Sequence, residues 1–205
     1  MRPSRLTTAL VLLGLASSVQ AASPADGTAA SGAAASEAAG PRPACPTLLD
    51  ARQPRLQDEA MQDLCRYAGQ VVLVVNTASF CGFTPQYRAL ERLHERYRGR
   101  GFAVLGFPSN DFGQEAGSSA EIAQLCEGTF GVKFPMFASS AVTGPQANPV
   151  FARLARASGS APRWNFHKYL IGRDGRLVAA WPSAVAPDDA RMVAEIEKAL
   201  AVVRP

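Results

Sequence analysis

One cysteine of the chain lies in a segment whose residue types could perform thiol chemistry. Cys81 sits in the run NTASFCGFTPQY, between an apolar stretch typical of a buried strand and a helix predicted to begin at Thr84. The free amides of a helix N-terminus favour a nearby anion, and the thiolate is the reactive form of cysteine. The position therefore predicts a nucleophilic thiol, with core filling or half of a structural bridge as the alternatives.

Three polar side chains elsewhere in the sequence could donate hydrogen bonds to that thiolate. They are the amides of Gln114 and Asn165 and the indole N–H of Trp164. Taken singly, each also has a structural interpretation, in which Gln114 is a loop residue, Asn165 a turn residue and Trp164 a core aromatic. Their significance depends on whether the fold brings them to Cys81.

The strands that must position these residues are visible as apolar runs. Continuous apolar residues are typical of strands buried in a parallel sheet, and two runs joined by the turn Arg173-Asp174-Gly175-Arg176 predict a β-hairpin. The predicted strands are 71–76, 102–107, 165–172 and 177–181. Helix signals separate them, and the resulting order predicts an α/β, thioredoxin-like fold with a central mixed sheet flanked by helices.

Three helices are predicted from their end signals. The first runs from the N-cap residue Thr84, with Pro85 at the first helical position, to Gly99. A capping box over 118–121 begins a short second helix that contains Cys126. A last helix is predicted to begin at 187–189, and four of its apolar residues are spaced so that they share one face toward the core. These residues are Val193, Ile196, Leu200 and Val203.

The order of these elements brings three loops to one edge of the sheet. Loops that follow parallel strands emerge at the carboxyl edge, and Cys81 and Gln114 each lie in such a loop. If the strand over 165–172 runs antiparallel to the strand over 71–76, Trp164 and Asn165 begin it at the same edge. The sequence therefore predicts that three loops converge on the Cys81 sulfur.

The N-terminal part of the chain predicts export. Residues 1–21 combine a basic start, an apolar stretch from Leu6 to Val19 and small residues before a cleavage position, as in a cleavable signal peptide. A membrane anchor is the alternative, but it needs about 20 apolar residues. In residues 22–43, 18 of 22 are Ala, Gly, Ser or Pro, which predicts a disordered linker. We therefore expect a periplasmic or secreted domain over 44–205, without stable membrane insertion.

The charge balance and the histidines exclude other kinds of site. Beyond the predicted signal peptide, 19 basic and 17 acidic residues remain, scattered along the chain, so no nucleic-acid surface is expected. His94 and His167 are isolated and no CxxC occurs, which gives no zinc pattern. No metal or other cofactor is expected.

The four cysteines allow three complete pairings, and their spacing does not choose among them. Cys45 and Cys65 both precede the first core strand, in an irregular stretch with few large apolar residues. In an oxidising compartment a bridge there would contribute about 3 kcal/mol of stability by loop-closure arguments. We therefore expect a structural Cys45–Cys65 disulfide, with two free thiols as the alternative.

Four motifs together resemble the glutathione peroxidase family in its cysteine-containing form. They are NTASFCGFTPQY, GFPSNDFGQEAGS, KFPMF and WNFHKYLIGRDG, in the order and spacing of that family. The resemblance implies a peroxidase that reduces hydrogen peroxide or organic hydroperoxides, with an active centre of Cys81, Gln114, Trp164 and Asn165. Cys81 would attack the O–O bond and become a sulfenic acid.

The sequence is also similar to the two-cysteine branch of this family. Cys126 matches the position of the resolving cysteine, which condenses with Cys81 to a disulfide. Because a bridge requires Cα atoms within about 7 Å, Cys126 is expected to leave its helix. The resemblance implies a thioredoxin-like dithiol donor, or a small thiol such as glutathione, as the reductant. The short connection over 148–164 implies a monomer.

The chain departs from the family pattern in the loop that carries Gln114. Gly113 directly precedes Gln114, which is one residue fewer than the usual form, and Ala116 stands where proline is usual. Ser109 and Asp111 replace a common cysteine and glutamine. The position of Gln114 therefore depends on how the shorter loop folds.

A thiol-disulfide exchange or redox-sensing protein on the same fold is the alternative function. Proteins of that kind use a CxxC motif, and here Thr84 occupies the position of the second thiol after Cys81. The absence of this second thiol favours the peroxidase function over thiol-disulfide exchange.

Overall fold

The computed structural model describes residues 44–203 of the 205-residue chain. The predicted signal peptide over 1–21 and the predicted linker over 22–43 lie outside the described residues. Among the described helices, none combines the length and the apolar character that a membrane span requires.

A small hairpin precedes the main sheet. Strands β1 (Arg52–Pro54) and β2 (Met61–Asp63) pair antiparallel. This stretch is predicted to be irregular, because strands of three residues leave almost no periodic signal. The hairpin is joined to the sheet region by an isolated bridge between Arg55 and Phe137.

A four-stranded mixed sheet forms the centre of the domain. Its strands are β3 (Val71–Thr77), β4 (Phe102–Pro108), β5 (Lys168–Ile171) and β6 (Leu177–Trp181), in the spatial order β4-β3-β5-β6. β3 pairs parallel with β4 and antiparallel with β5, and β6 closes the far edge antiparallel to β5. This α/β arrangement confirms the predicted thioredoxin-like fold class.

Four α-helices flank the sheet, and one of them is not predicted from the sequence. They are α1 (Gln86–Tyr97), α2 (Ser119–Ala123), α3 (Pro149–Ser158) and α4 (Ala190–Ala201). The capping box of α2 is present as predicted. The unpredicted helix, α3, has clear start signals, since the Asn148 side chain caps it and Pro149 occupies its first turn.

Two predicted details of the helices are wrong, and a third is refined. α1 begins at Gln86, because the Thr84 hydroxyl accepts a hydrogen bond from the Cys81 amide and does not cap the helix. The helix predicted to contain Cys126 does continue through it, but beyond α2 it is π-helical, over Gln124–Thr129. Val203, expected in the core, is 86% exposed because α4 ends at Ala201.

Hydrophobic clusters cover both faces of the sheet. All seven residues of β3 are buried, and the five from Val71 to Val75 alternate between the clusters, which explains the continuous apolar run in the sequence. One cluster contains residues of α1 and α4, and the other contains residues of α3. Cys81 and Cys126 both belong to the cluster on the α1 and α4 side.

The strand register sets the edge at which loops meet. Thr77, the last residue of β3, pairs with Pro108, the last residue of β4, so the loops after both strands emerge side by side. On the other side of β3, Val75 pairs with Lys168, the first residue of β5. The segment before β5 therefore reaches the same edge, as the antiparallel arrangement predicts.

Candidate active site

Cys81 lies in the connection between β3 and α1, where hydrogen bonds fix the backbone on both sides of it. The Cys81 amide donates to the Thr84 hydroxyl at 3.0 Å, and that hydroxyl donates to the Ala78 carbonyl at 3.0 Å. The Cys81 carbonyl accepts from the Thr84 amide at 3.0 Å. The side chain of Cys81 is 6% exposed, so the sulfur is held at the margin of the core.

The sulfur of Cys81 accepts a hydrogen bond from the Phe83 amide, with 3.4 Å between Sγ and N. A backbone N–H aimed at sulfur stabilises the anionic form. Among the described residues this is the only hydrogen bond to the sulfur. The side chains of Gln114, Trp164 and Asn165 form none with it in this structure.

The loop after β4 is hydrogen-bonded to the Cys81 connection. The Phe80 amide donates to the Gln114 carbonyl at 2.9 Å. The Glu115 carboxylate accepts a hydrogen bond from the Ser79 amide at 2.9 Å and a second one from the Ser79 hydroxyl. Although this loop is shorter than the family pattern, it places Gln114 beside the segment that carries Cys81.

Glu115 is a site residue that the sequence analysis misses. Burial raises the pKa of its carboxyl group, against the opposing effect of the hydrogen bonds from Ser79 and Ala116. Its Oε2 atom is buried and has no hydrogen-bond partner within residues 44–203. An acidic residue after Gln114 carries no sequence signal for this role, because Ser79 is 36 residues away.

The side chains of Gln114 and Asn165 meet directly. Asn165 Nδ2 donates to Gln114 Oε1 at 3.1 Å, and Asn165 is fully buried. This bond uses the oxygen of Gln114, so its Nε2 group has no partner in the described part of the chain and is available to a ligand. The predicted pairing of the second and third loops is therefore present as a side-chain contact.

Trp164 lies at the surface beside these residues. Its side chain is 41% exposed and its ring centroid is 5.4 Å from that of Phe112, so the interpretation as a core aromatic is wrong. Asn76, near the end of β3, donates from Nδ2 to the Trp164 carbonyl at 3.1 Å and accepts from the His167 amide at 3.0 Å. Asn76 thus ties the segment before β5 to the edge that carries Cys81.

Cys126 is a free thiol in a different setting. It is fully buried in the π-helical segment. Burial, with the charges of Glu115 and Glu127, raises the pKa of the Cys126 thiol to about 11. The Tyr87 hydroxyl forms no conventional hydrogen bond with a described residue, but it lies close enough to oppose this shift in part. At neutral pH this thiol is protonated and unreactive while it stays in place.

The other two cysteines are joined. A disulfide links Cys45 to Cys65, the pairing favoured by the sequence analysis. Asp50 lies close to both sulfurs, and these three form the only cluster of potential metal ligands among the described residues. Because both sulfurs are bonded to each other, the cluster is not a metal site.

Comparison with known sequences gives a consistent family assignment. The family model for glutathione peroxidase matches residues 51–155. The hydroperoxy fatty acid reductase gpx1 of Synechocystis sp. is 48% identical over 145 residues, which cover 65% of this chain and 85% of that protein. The glutathione peroxidase-like peroxiredoxin gpx1 of Schizosaccharomyces pombe is 47% identical over 125 residues, which cover 58% of this chain and 79% of that protein.

Solved structures agree with the fold. The apo form of Trgpx superposes with a TM-score of 0.63 at 34% sequence identity, covering 78% of this chain and 99% of that one. A thiol:disulfide interchange protein DsbE from Chlorobium tepidum gives a TM-score of 0.55 at 18% identity, covering 76% of this chain and 96% of that one. At that level of identity the second likeness concerns the fold alone.

Proposed function

The chain belongs to the glutathione peroxidase family and is a peroxidase, and we propose that it is an exported, thiol-dependent enzyme in which Cys81 is the nucleophile and Cys126 the resolving thiol. The observation that carries this proposal is the hydrogen-bonded convergence of the Gln114 loop and the segment before β5 on the Cys81 connection. The names of the relatives from Synechocystis and Schizosaccharomyces support a hydroperoxide substrate and a peroxiredoxin-like thiol cycle.

In the first step the Cys81 thiolate attacks the terminal oxygen of a hydroperoxide. The S–O bond forms, the O–O bond breaks, and the departing alkoxide or hydroxide takes up one proton to leave as an alcohol or water. Cys81 becomes a sulfenic acid, which is a two-electron oxidation. Gln114 Nε2 and the Trp164 indole N–H are the donors available to the departing oxygen, where hydrogen bonds lower the barrier most.

In the second step the Cys126 sulfur attacks the sulfenic acid. The S–S bond forms, the S–O bond breaks, and the thiol proton leaves with the hydroxyl group as water. Because Cys126 is fully buried, the segment over Gln124–Thr129 must open before the sulfurs meet. π-Helical turns are short, and although they are rare in proteins overall they are frequent at functional sites. We therefore expect that opening this segment disrupts less structure than opening a regular helix would.

In the third step an external reductant supplies two electrons and two protons. We infer a thioredoxin-like dithiol protein or two molecules of a small thiol such as glutathione. Either reductant restores both thiols, and the Cys45–Cys65 bridge takes no part in the cycle. The predicted signal peptide supports a location outside the cytoplasm, and we infer that the enzyme acts as a monomer.

Peroxide consumption in the presence of a dithiol donor tests the proposal. The Cys81→Ser variant is expected to lose turnover, while Cys126→Ser still reduces one equivalent of peroxide but stops before disulfide formation. Equal rates of peroxide consumption for wild type and Cys81→Ser would contradict the proposal. Slow peroxide reduction beside fast disulfide transfer to a partner protein would instead favour the exchange function.

Disulfide mapping of the peroxide-treated, full-length protein tests the pairing. Oxidised protein is expected to contain both Cys45–Cys65 and Cys81–Cys126 bridges, and brief reduction should open only the second. A Cys81 bridge to Cys45 or Cys65 would contradict the cycle.

The N-terminus of the mature protein tests export. Cleavage by signal peptidase after Ala21 predicts a chain that begins at Ala22 and is found outside the cytoplasm after cell fractionation. An uncleaved chain in the cytoplasmic fraction would contradict this part of the proposal, without affecting the assignment of Cys81.

A further inference from the structure

Three polar side-chain atoms lie buried around Cys126 without a hydrogen-bond partner among residues 44–203. They are Oγ1 of Thr77 at the end of β3, the hydroxyl oxygen of Tyr87 in the first turn of α1, and Oε2 of Glu115 in the loop after β4. Burial raises the pKa of Tyr87 well above its usual range, and Cys126 and Thr77 are both close enough to modify that shift. An unpaired buried polar atom is costly, so a group of them beside a thiol is unexpected in a core that serves packing alone.

The two carboxylate oxygens of Glu115 have different surroundings. Oε1 accepts hydrogen bonds from the Ala116 amide at 2.8 Å, from the Ser79 amide at 2.9 Å and from the Ser79 hydroxyl. Oε2 is buried and accepts none from the described part of the chain. Because Ser79 lies two residues before Cys81, these bonds fix the carboxylate beside the connection that carries the proposed nucleophile and leave one oxygen available.

The titratable groups around Cys126 are Tyr87 on α1, Glu115 in the loop after β4 and Glu127 in the π-helical segment itself. Tyr87 stays protonated, because burial keeps the pKa of its hydroxyl so high. Glu127 is exposed, and its Oε1 atom accepts a hydrogen bond from Gln57 Nε2 at 3.0 Å. Of these groups, Glu115 is therefore the base that is both close to Cys126 and has a buried oxygen without a described partner.

Cys126 has to lose its proton to form a disulfide, and its surroundings oppose this loss. With a pKa of about 11, the buried thiol is ionised to about one part in ten thousand at pH 7. A thiolate beside the Glu115 carboxylate would also add a second negative charge to the core. Transfer of the thiol proton to Glu115 avoids that second charge, because a single negative charge moves from oxygen to sulfur. The Tyr87 hydroxyl can donate a hydrogen bond to either anion.

We propose that Oε2 of Glu115 is the proton acceptor for Cys126 in the disulfide-forming step. The carboxylate takes the thiol proton as the Cys126 sulfur attacks the sulfenic acid of Cys81, so that the S–S bond forms and the S–O bond breaks. The departing hydroxide takes this proton from Glu115 and leaves as water, which restores the carboxylate. Because Glu115 is bonded to Ser79 and not to Gln124–Thr129, it stays beside Cys81 when that segment opens. This inference rests on the proposed function, since it adds a residue to the second step of the same cycle.

Replacing the carboxylate with an amide tests this role. An ordinary exposed thiol is ionised to about 3% at pH 7, so a base accelerates the step by at most about thirtyfold once the segment has opened. Glu115→Gln is therefore expected to slow formation of the Cys81–Cys126 disulfide about ten- to thirtyfold after one equivalent of hydrogen peroxide, as measured by rapid quenching with an alkylating reagent. Glu127→Gln makes the same change at the exposed carboxylate near Cys126 and is the matched control. It should alter this rate less than about twofold, because solvent screens its charge.

The pH dependence of disulfide formation separates proton transfer from a structural effect. Burial raises the pKa of Glu115, and a protonated carboxyl group cannot accept the thiol proton. The wild-type rate should therefore be level above that pKa and fall as the pH is lowered through it. In Glu115→Gln the level region is lost, and the rate should rise with ionisation of the Cys126 thiol, about tenfold per pH unit across neutral pH. Glu115→Asp keeps a carboxyl group and should keep the level region, even where its shorter side chain lowers the rate.

The outcomes distinguish this inference from the proposed function. Disulfide formation as fast in Glu115→Gln as in the wild type, or a pH profile of the same shape in both, would overturn the inference and leave the proposed function intact, because the disulfide still forms. Absence of a Cys81–Cys126 disulfide in the peroxide-treated wild type would contradict the proposed function, and the inference with it. Thermal denaturation of the reduced proteins, with oxidation of Cys81 followed in the same samples, shows that the variants are folded.

Discussion

The two free cysteines share one hydrophobic cluster but lie on segments of different construction. The segment around Cys81 is fixed by the Thr84 hydroxyl, which bonds to the Cys81 amide and the Ala78 carbonyl, and by Glu115, which bonds to Ser79. The segment around Cys126 is a single π-helical stretch that follows a five-residue α-helix. The Cys126 side chain is fully buried, and its carbonyl accepts a hydrogen bond from the Val132 amide at 3.0 Å.

This difference corresponds to what the two thiols must do in the proposed cycle. A nucleophile gains rate from a fixed position, because the reacting sulfur is held in place before the peroxide arrives. A resolving thiol must travel, and a segment of low local stability makes that movement accessible. In the proposed cycle, the fixed and the mobile role therefore fall on different backbone structures within one core.

The largest expected effect comes from removing the fixed contacts of Cys81. Thr84→Val deletes a hydroxyl that serves two buried backbone groups, so it should lower the free energy of unfolding by about 3 kcal/mol. Urea denaturation measures this change. Thr84→Ser keeps the hydroxyl and should cost less than about 1 kcal/mol. Equal stability of the valine and serine variants would show that these bonds do not hold the segment.

A smaller effect is expected from Glu115→Ala. The Ser79 amide and hydroxyl lose their acceptor, which should destabilise the protein by about 1–2 kcal/mol and slow the oxidation of Cys81 by peroxide. Stopped-flow fluorescence follows the oxidation, and denaturation follows the stability. Glu115→Gln retains an acceptor oxygen and is the control. A normal oxidation rate in the alanine variant would mean that the hydrogen bonds between Glu115 and Ser79 do not affect the reactivity of Cys81.

Stabilising the segment over Gln124–Thr129 tests the movement proposed for Cys126. A Cβ at Gly128 meets no atom within 4 Å, so Gly128→Ala should stabilise the segment by about 0.5–1 kcal/mol and slow disulfide formation about two- to fivefold. The first step, oxidation of Cys81, should keep its rate.

The matched control for this variant is Gly99→Ala, which also lies in open space but on the 3₁₀ turn after α1. Rapid quenching with an alkylating reagent measures the fraction of free Cys126 over time. If both alanine variants form the disulfide as fast as the wild type, opening of Gln124–Thr129 does not limit the second step.

A further effect on stability concerns alkaline pH. Burial raises the pKa of Cys126 from 9.0 to about 11, so the native state holds its proton more tightly than the unfolded state. The resulting stability is fully present below about pH 9 and is lost as the pH rises through about 11, by at most about 1.4 kcal/mol per pH unit. The difference in unfolding free energy between wild type and Cys126→Ala should therefore shrink over that range. A difference that stays constant would mean that the thiol is not shielded from water.

The sequence supports much of the fold and part of the site. Buried strands β3 and β4 follow from their continuous apolar runs, and the capping box of α2 follows from Ser118 and Glu121. α3 has an equally plain start at Asn148 and Pro149, although it is absent from the predicted elements. The β1–β2 hairpin has no comparable signal, because strands of three residues are too short to show an alternation of apolar and polar residues.

Within the site, the sequence and its family resemblance indicate which residues matter but not what they bond to. Thr84 is read as a helix cap from its place before Pro85, whereas its hydroxyl serves the Cys81 amide and the Ala78 carbonyl. Glu115 and Asn76 carry no local signal, because their partners lie 36 and 88 residues away.

By itself, the sequence determined the α/β order of elements, the position of Cys81 after a buried strand and the motifs of the family, because these depend on neighbours along the chain. Only the tertiary structure decided that Gln114 bonds to Asn165, that Cys126 sits in a π-helical segment, and that a cleft lined by His167 opens beside Trp164. Those features depend on how strand register and core packing bring distant segments together, which local propensity does not specify.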